Sequence, residues 1–187
     1  MPRRISPLLA ASALFGLAAP ALAAEDCYRA DAAGGEVAFH VLQAGAPFVG
    51  RFRRYSGEAC LAQGRITRIT ATLDPASVET GLPELDANLL KTDFFDVVSY
   101  PSVTFSGSSV QSQGDAYTVR GTLGIKDNKR EVTVVLHARQ AGGKLSISGS
   151  ITLDRLQYGI GTGEWTNTKW LGAEVKVDID ATLAREK

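Results

Sequence analysis

Two carboxylates, Asp93 and Asp96, flank the adjacent rings of Phe94 and Phe95. Two acids at close spacing have the types needed for the proton donor and base of a glycoside hydrolase. Aspartates at the end of a helix are also ordinary caps and turn residues, and the surrounding pattern favours that reading. His40 and His137 are the only histidines. They fall on different expected strands with no Cys or carboxylate cluster beside them, so no metal site is expected. No Gly-x-Ser-x-Gly nucleophile turn occurs. Gly159, Gly161 and Gly163 imitate a phosphate loop, but no helix follows them and Gly-Lys-Ser/Thr is missing. Catalysis is therefore not expected, and a hydrolase is the weakest of the functional readings.

Other chemistry-bearing groups point to structure. Cys27 and Cys60 are the only cysteines. In an exported chain the simplest fate of such a pair is a disulfide. Neither has a neighbouring His or a Cys-x-x-Cys partner that would activate a thiol. Ala24-Glu25-Asp26 before Cys27 lacks the small or apolar triplet of a lipid-anchor signal. Arg51, Arg53 and Arg54 cluster, and such a group is usually a solvated face or paired with acidic loops. An anionic head group is the lesser alternative.

Export is read from the first residues. Arg3 and Arg4 precede a short apolar run from Leu8 to Leu17, and Ala21-Leu22-Ala23 supplies a small-x-small cleavage pattern. Residues 1–23 are expected to be a signal peptide and residues 24–187 one domain, placed in the periplasm. The run is too short to span a bilayer. Removing residues 1–23 takes away two arginines and no acids from a chain with 20 Lys+Arg and 20 Asp+Glu, leaving a charge of about −2. With no basic block, neither nucleic acid nor an anionic membrane surface is expected as a main partner.

The elements that must position these residues are mostly strands. Val37, Phe39 and Val41 alternate with Ala38, His40 and Leu42, and the run resumes from Phe48 to Phe52 after Gly45-Ala46-Pro47. Arg65 to Leu73 forms another strand, with Ile69, Ala71 and Leu73 on one face. Leu82, Leu85, Leu89 and Leu90 have helical spacing and predict one short helix ending near Phe94 or Phe95. Tyr100-Pro101 then forces an extended entry into the next strand. Val103 and Phe105 begin a series of alternating strands that includes 117–125, 132–138, 145–153 and 175–183. One dry and one wet face per strand, with short turns, is antiparallel logic. About eight such strands predict an all-β antiparallel barrel, whose interior is either filled by side chains or holds one small ligand.

A hollow barrel would bring Phe39, Val41, Phe48 and Phe105 to its interior, together with Leu123, Val134, Ile147, Ile151 and Val177. Phe94, Phe95, Trp165 and Trp170 are the candidates for its mouth. The two tryptophans sit on the glycine-rich stretch Tyr158 to Trp170, where capping the core is the alternative.

Four segments carry a resemblance. They are Phe39-x-Val41-x-Gln43-x-Gly45 leading to Gly50-Arg51-Phe52; Ser77-Val78-x-Thr80-Gly81 with Asn88 to Val97 and Tyr100-Pro101-x-x-x-Phe105; Gly121-Thr122-Leu123-x-Ile125-Lys126; and Gly159-Ile160-Gly161-x-Gly163-Glu164-Trp165 with Gly172-x-Glu174-Val175. Together they resemble the YceI-like periplasmic proteins, polyisoprenoid-binding barrels of lipocalin-like form. The resemblance implies an eight-stranded lipocalin-like barrel that carries a long isoprenoid lipid and uses no cofactor beyond that ligand. Many members have a His where this chain has Gln43, and a basic segment where it has Leu85 to Lys91. Both departures remove polar groups that would meet a head group, so an isoprenoid quinone such as ubiquinone stands beside a polyprenyl phosphate. The Gly-Glu-Trp loop resembles a branch associated with b-type membrane cytochromes, which implies such a partner. The family also implies a homodimer. The competing reading is a stress-related or redox-partner accessory protein with a filled barrel.

Overall fold

The structure, a computed structural model, describes residues 25–31 and 34–185. The expected signal peptide lies outside the described residues. Eleven strands and one helix follow in order: β1 (Asp26–Asp31), β2 (Gly35–Gln43), β3 (Ala46–Phe52), β4 (Tyr55–Ala62), β5 (Arg65–Leu73), β6 (Val78–Glu79), α1 (Pro83–Leu89), β7 (Val103–Gln113), β8 (Ala116–Ile125), β9 (Asn128–Ala141), β10 (Lys144–Asp154) and β11 (Glu174–Arg185).

All pairings are antiparallel, and the sheet closes. β11 pairs with β2, as in Val177 against Phe39, and its far end pairs with β1, as in Ala184 against Arg29. β1 and β2 thus lie end to end along β11. β4 and β3 lie end to end against them in turn. The result is the expected closed eight-stranded antiparallel barrel with a single short helix. Closure through β1 and β11 pairs most of the wall on both sides, while β6 covers only Arg51 and Phe52 at the end of β3. β10 shows why the sequence folds this way. Leu145 and Ile147 are buried inside, while Ser146, Ser148 and Ser150 face water.

β1 and β4 were not anticipated as strands; the stretch before β2 reads as an arm from sequence alone. Tyr28, Ala30, Ala59 and Leu61 of these strands are all buried in the core. The sequence hides β4 because Ala59, Cys60 and Leu61 are all buried in succession, which erases the period of two. The cause lies outside the barrel wall. Cys27 and Cys60 face each other across β1 and β4 and form a disulfide, and Glu58 and Arg68 pair above it at 2.8 Å.

The helix is also shorter than its leucines suggest. It ends at Leu89, not near Phe94 or Phe95, and Leu90 caps it with an N–H to Asn88 O. A run of reverse turns follows, with Asp96 in the left-handed region at φ 46°. Phe94 and Phe95 both point into the barrel. A helix rotates about 100° per residue and would splay adjacent rings, whereas a turn sends both inward.

The two barrel ends differ. The β4–β5, β7–β8 and β9–β10 turns lie at one end, which is filled by a core that includes Tyr28, Ile66, Tyr117, Val119, Leu145 and Leu183. At the other end, α1, the turns after it and the loop from Arg155 to Ala173 close over the opening. There a second core forms from Phe52, Val78, Leu89 and Phe94.

Candidate functional site

Between the two cores lies a cavity of about 300 Å³, within the range of small-ligand pockets. The barrel is therefore not filled. Phe39, Val41, Phe48 and Phe105 line the cavity, as do Leu123, Val134, Ile147, Ile151 and Val177. Phe94, Phe95 and Trp165 line its lid end. Trp170, expected at the mouth, does not line it and is 63% exposed. The reason is local. The Trp170 N–H donates to Asn167 O, and its carbonyl accepts from Ala44 N–H. The backbone is thereby pinned to the tip of the β2–β3 hairpin while the ring stays outside.

Strand register sets the shape of the interior. Ala30, Gly57 and Ala71 sit side by side across β1, β4 and β5, giving a rung of small residues on one wall. Aromatic rings fill much of the rest. Phe39 packs 5.5 Å from Phe52, and Phe52 packs edge-on against Phe95 at 5.7 Å. Gly50, opposite Phe39 on β3, leaves room for that ring, which a Cβ there would overlap.

The lid has two segments, and each holds the other. Phe94 stacks 5.5 Å from Trp165 in a tilted pair. Asp93 O accepts the N–H of Gly161 at 2.7 Å and of Thr162 at 2.9 Å. The Asp93 carboxylate accepts from the Thr162 hydroxyl at 3.1 Å. Lys126 on the β8–β9 turn donates to Thr92 O and Gly159 O. Asp93 and Asp96 thus serve the lid and the turn; neither lines the cavity.

Arg155 is the residue that sequence reasoning missed. Only 4% exposed, it lines the cavity and gives every N–H of its guanidinium to a backbone carbonyl. Nε donates to Gly172 O, Nη1 to Ile160 O and Gly161 O, and Nη2 to Trp165 O and Leu171 O, over 2.6–3.0 Å. Burial holds its pKa below the ordinary arginine value, against the raising effect of Asp154. The same arrangement explains the glycine repeat. Gly159, Gly161 and Gly163 all have positive φ, and a Cβ on Gly161 would overlap the Arg155 guanidinium. The detectable signal was three alternate glycines downstream of an arginine: a loop coiled around a cation rather than a phosphate.

The arginine cluster, the histidines and the disulfide lie outside the cavity, whereas Gln43, Glu58 and Tyr158 reach its lining. Arg51 pairs with Glu36, Arg53 with Glu79 and Arg54 with Asp74, so the arginine cluster is an ion-paired outer face. His40 contacts Asp178 at 3.0 Å, and His137 lies 3.9 Å from Asp115, on different strands. Among the described residues, Glu25, Cys27 and Cys60 alone gather potential metal donors. Both sulfurs are committed to the disulfide and supply no thiolate.

A YceI-like domain matches residues 28–183. The chain belongs to the YceI-like family. The UPF0312 protein of Pseudomonas aeruginosa (strain LESB58) is 26% identical over 171 residues, covering 86% of this chain and 88% of that protein. Protein YceI of Escherichia coli O157:H7 is 31% identical over 67 residues, about a third of either chain. Among solved structures, this YceI-like barrel resembles Burkholderia cenocepacia BcnA with a TM-score of 0.78 and 28% identity, over 82% of this chain and 98% of that one. It shares its fold with a polyisoprenoid binding domain from Saccharophagus degradans, at a TM-score of 0.69 and 15% identity over 86% and 98% of the two chains.

Proposed function

We propose that this YceI-like protein is a periplasmic carrier that holds an isoprenoid lipid in its barrel and catalyses no reaction. The observation that carries the reading is the cavity, apolar along nearly its whole lining, with Phe94 and Trp165 packed together at its lid end. Transfer of a chain from water into such a space is favourable by about 0.8 kcal/mol per CH₂, less the cost of ordering it. The solved polyisoprenoid binding domain of the same fold and the exported-type disulfide support the reading.

Arg155 bears on the head group. Among the described residues it is the only cation lining the cavity, and all of its donors are taken. A pyrophosphate would find no donor from it, so a neutral quinone ring on an isoprenoid tail fits better than a polyprenyl phosphate. Native mass spectrometry and organic extraction of protein purified from the periplasm should release an isoprenoid. Added ubiquinone should quench Trp165. Recovery of lipid-free protein that neither ubiquinone nor a prenyl phosphate quenches would overturn the carrier reading. In that case an accessory role beside a membrane b-type cytochrome, testable by pulldown, becomes the better one.

A further inference from the structure

Seven large apolar side chains are exposed among the described residues. Five of them, Leu42, Leu82, Val98, Leu156 and Trp170, sit on the segments that close the cavity. These segments are the tip of the β2–β3 hairpin, the start of α1, the turn after Phe95 and the loop after Asp154. Val98 is 92% exposed. Leu42 and Trp170 are neighbours: Gly172 N–H donates to Leu42 O, and Ala44 N–H to Trp170 O, both at 2.8 Å. Among the described residues, the opposite end offers no counterpart. Its turns, Gln63-Gly64, Gly114-Asp115 and Gly142-Gly143, expose no large apolar side chain.

Charge is distributed unevenly as well. The wall arginines Arg51, Arg53, Arg54, Arg68 and Arg185 are all ion-paired. At the lid end, Lys91 donates to Asn88 and Lys126 to two carbonyls. Lys169, beside Trp170, forms no ion pair among the described residues. Counting Lys91, Lys126, Lys129, Arg155 and Lys169 against Glu84, Asp86, Asp93, Asp96, Asp127 and Glu164, the net charge of this end is small and slightly negative.

We propose that the lid end docks peripherally on a lipid bilayer and that the carried lipid enters and leaves there. The proposal rests on the carrier reading above. Apolar side chains on the tips of four separate segments do not make the flat, continuous patch that a folded partner packs against. They suit the fluid headgroup boundary, where a tryptophan and an adjacent lysine are at home. No described helix is long and apolar enough to cross a membrane, which fits surface attachment. A water-insoluble ligand resides in a bilayer, and a mouth pressed to that surface spares its tail passage through water.

The test uses mature protein and vesicles of phosphatidylethanolamine and phosphatidylglycerol. Protein should co-sediment with them. In a Trp165→Phe variant, Trp170 emission should shift to the blue. A combined Leu42→Ser, Val98→Ser and Trp170→Ser variant touches no cavity-lining residue. It should bind vesicles about tenfold more weakly or worse. It should take up ubiquinone from vesicles correspondingly slowly, and from detergent as wild type does. Absent co-sedimentation, or a triple variant that binds vesicles as well as wild type, overturns the docking. So does a triple variant that changes only the oligomeric state in light scattering, because the face then belongs to a second copy. Vesicle binding without ubiquinone uptake from either source would instead sink the carrier reading and leave the docking standing.

Discussion

Arg155 shows how a residue can govern a site without offering it any chemistry. Its five donors stitch Ile160, Gly161, Trp165, Leu171 and Gly172 into one loop. Replacing it with Met leaves those carbonyls without their donor. We expect Arg155→Met to lower stability by at least about 2 kcal/mol, read from the urea midpoint, and to speed ligand release. Gly161→Ala should cost roughly 1–2 kcal/mol from its left-handed backbone alone, and more from overlap with the guanidinium. Sequence reading passed over Arg155, whose one trace there is the alternate glycines Gly159, Gly161 and Gly163 that follow it. The interior residues were legible because alternation reports which way a side chain points. Trp170 was misplaced because a loop has no such period, and its backbone hydrogen bonds decide the direction instead.

At the scale of elements, β2, β5 and β7 to β11 could be read from period-two patterns, whereas β1 and β4 could not. In β4 the disulfide covers the outer face, so Ala59, Cys60 and Leu61 are buried in succession and the period is lost. β1 alternates, with Arg29 exposed between buried Tyr28 and Ala30, but its 6 residues give too few repeats to read. The bond ties residues 33 apart, and the chain-entropy model gives it roughly 3–4 kcal/mol. Chemical denaturation of a Cys27→Ser/Cys60→Ser variant should show a loss of that order. The lid makes a separate prediction. Phe94 is buried between Trp165 and the barrel. Phe94→Ala should cost about 3–5 kcal/mol, as large aromatic truncations in cores do. A stopped-flow measurement should find faster exchange of a fluorescent isoprenoid. Unchanged exchange would mean that the lid is not the route.

For the whole molecule, carriage and stability are linked. A ligand present at a hundred times its Kd stabilises the folded state by about 2.7 kcal/mol, a rise of roughly 5–10 °C in Tm for a domain of this size. Thermal melts with and without ubiquinone should show it. The barrel should also be indifferent to pH between about 5 and 8, the range in which an unperturbed histidine changes charge. Neither His40 nor His137 lines the cavity. The buried Tyr158 at its edge is pushed above the ordinary tyrosine value by desolvation, which Arg130 only partly opposes, so it stays neutral throughout. Ligand occupancy measured across this window should be flat. A step near pH 6.5 would point to a titrating group at the mouth.

The closure of the barrel has a consequence in time. Tyr28 pairs with Arg185, so the ring is completed by β1 and β11, the first and last described strands, and cannot form until β11 is available. A polypeptide threaded outward from its first residue therefore stays open while most of it emerges. If the bond between Cys27 and Cys60 forms first, it holds β1 on β4 and offers β11 an edge built in advance. Refolding from urea with the bond intact should be faster than with it reduced. Equal rates would show that the two ends find each other without that head start.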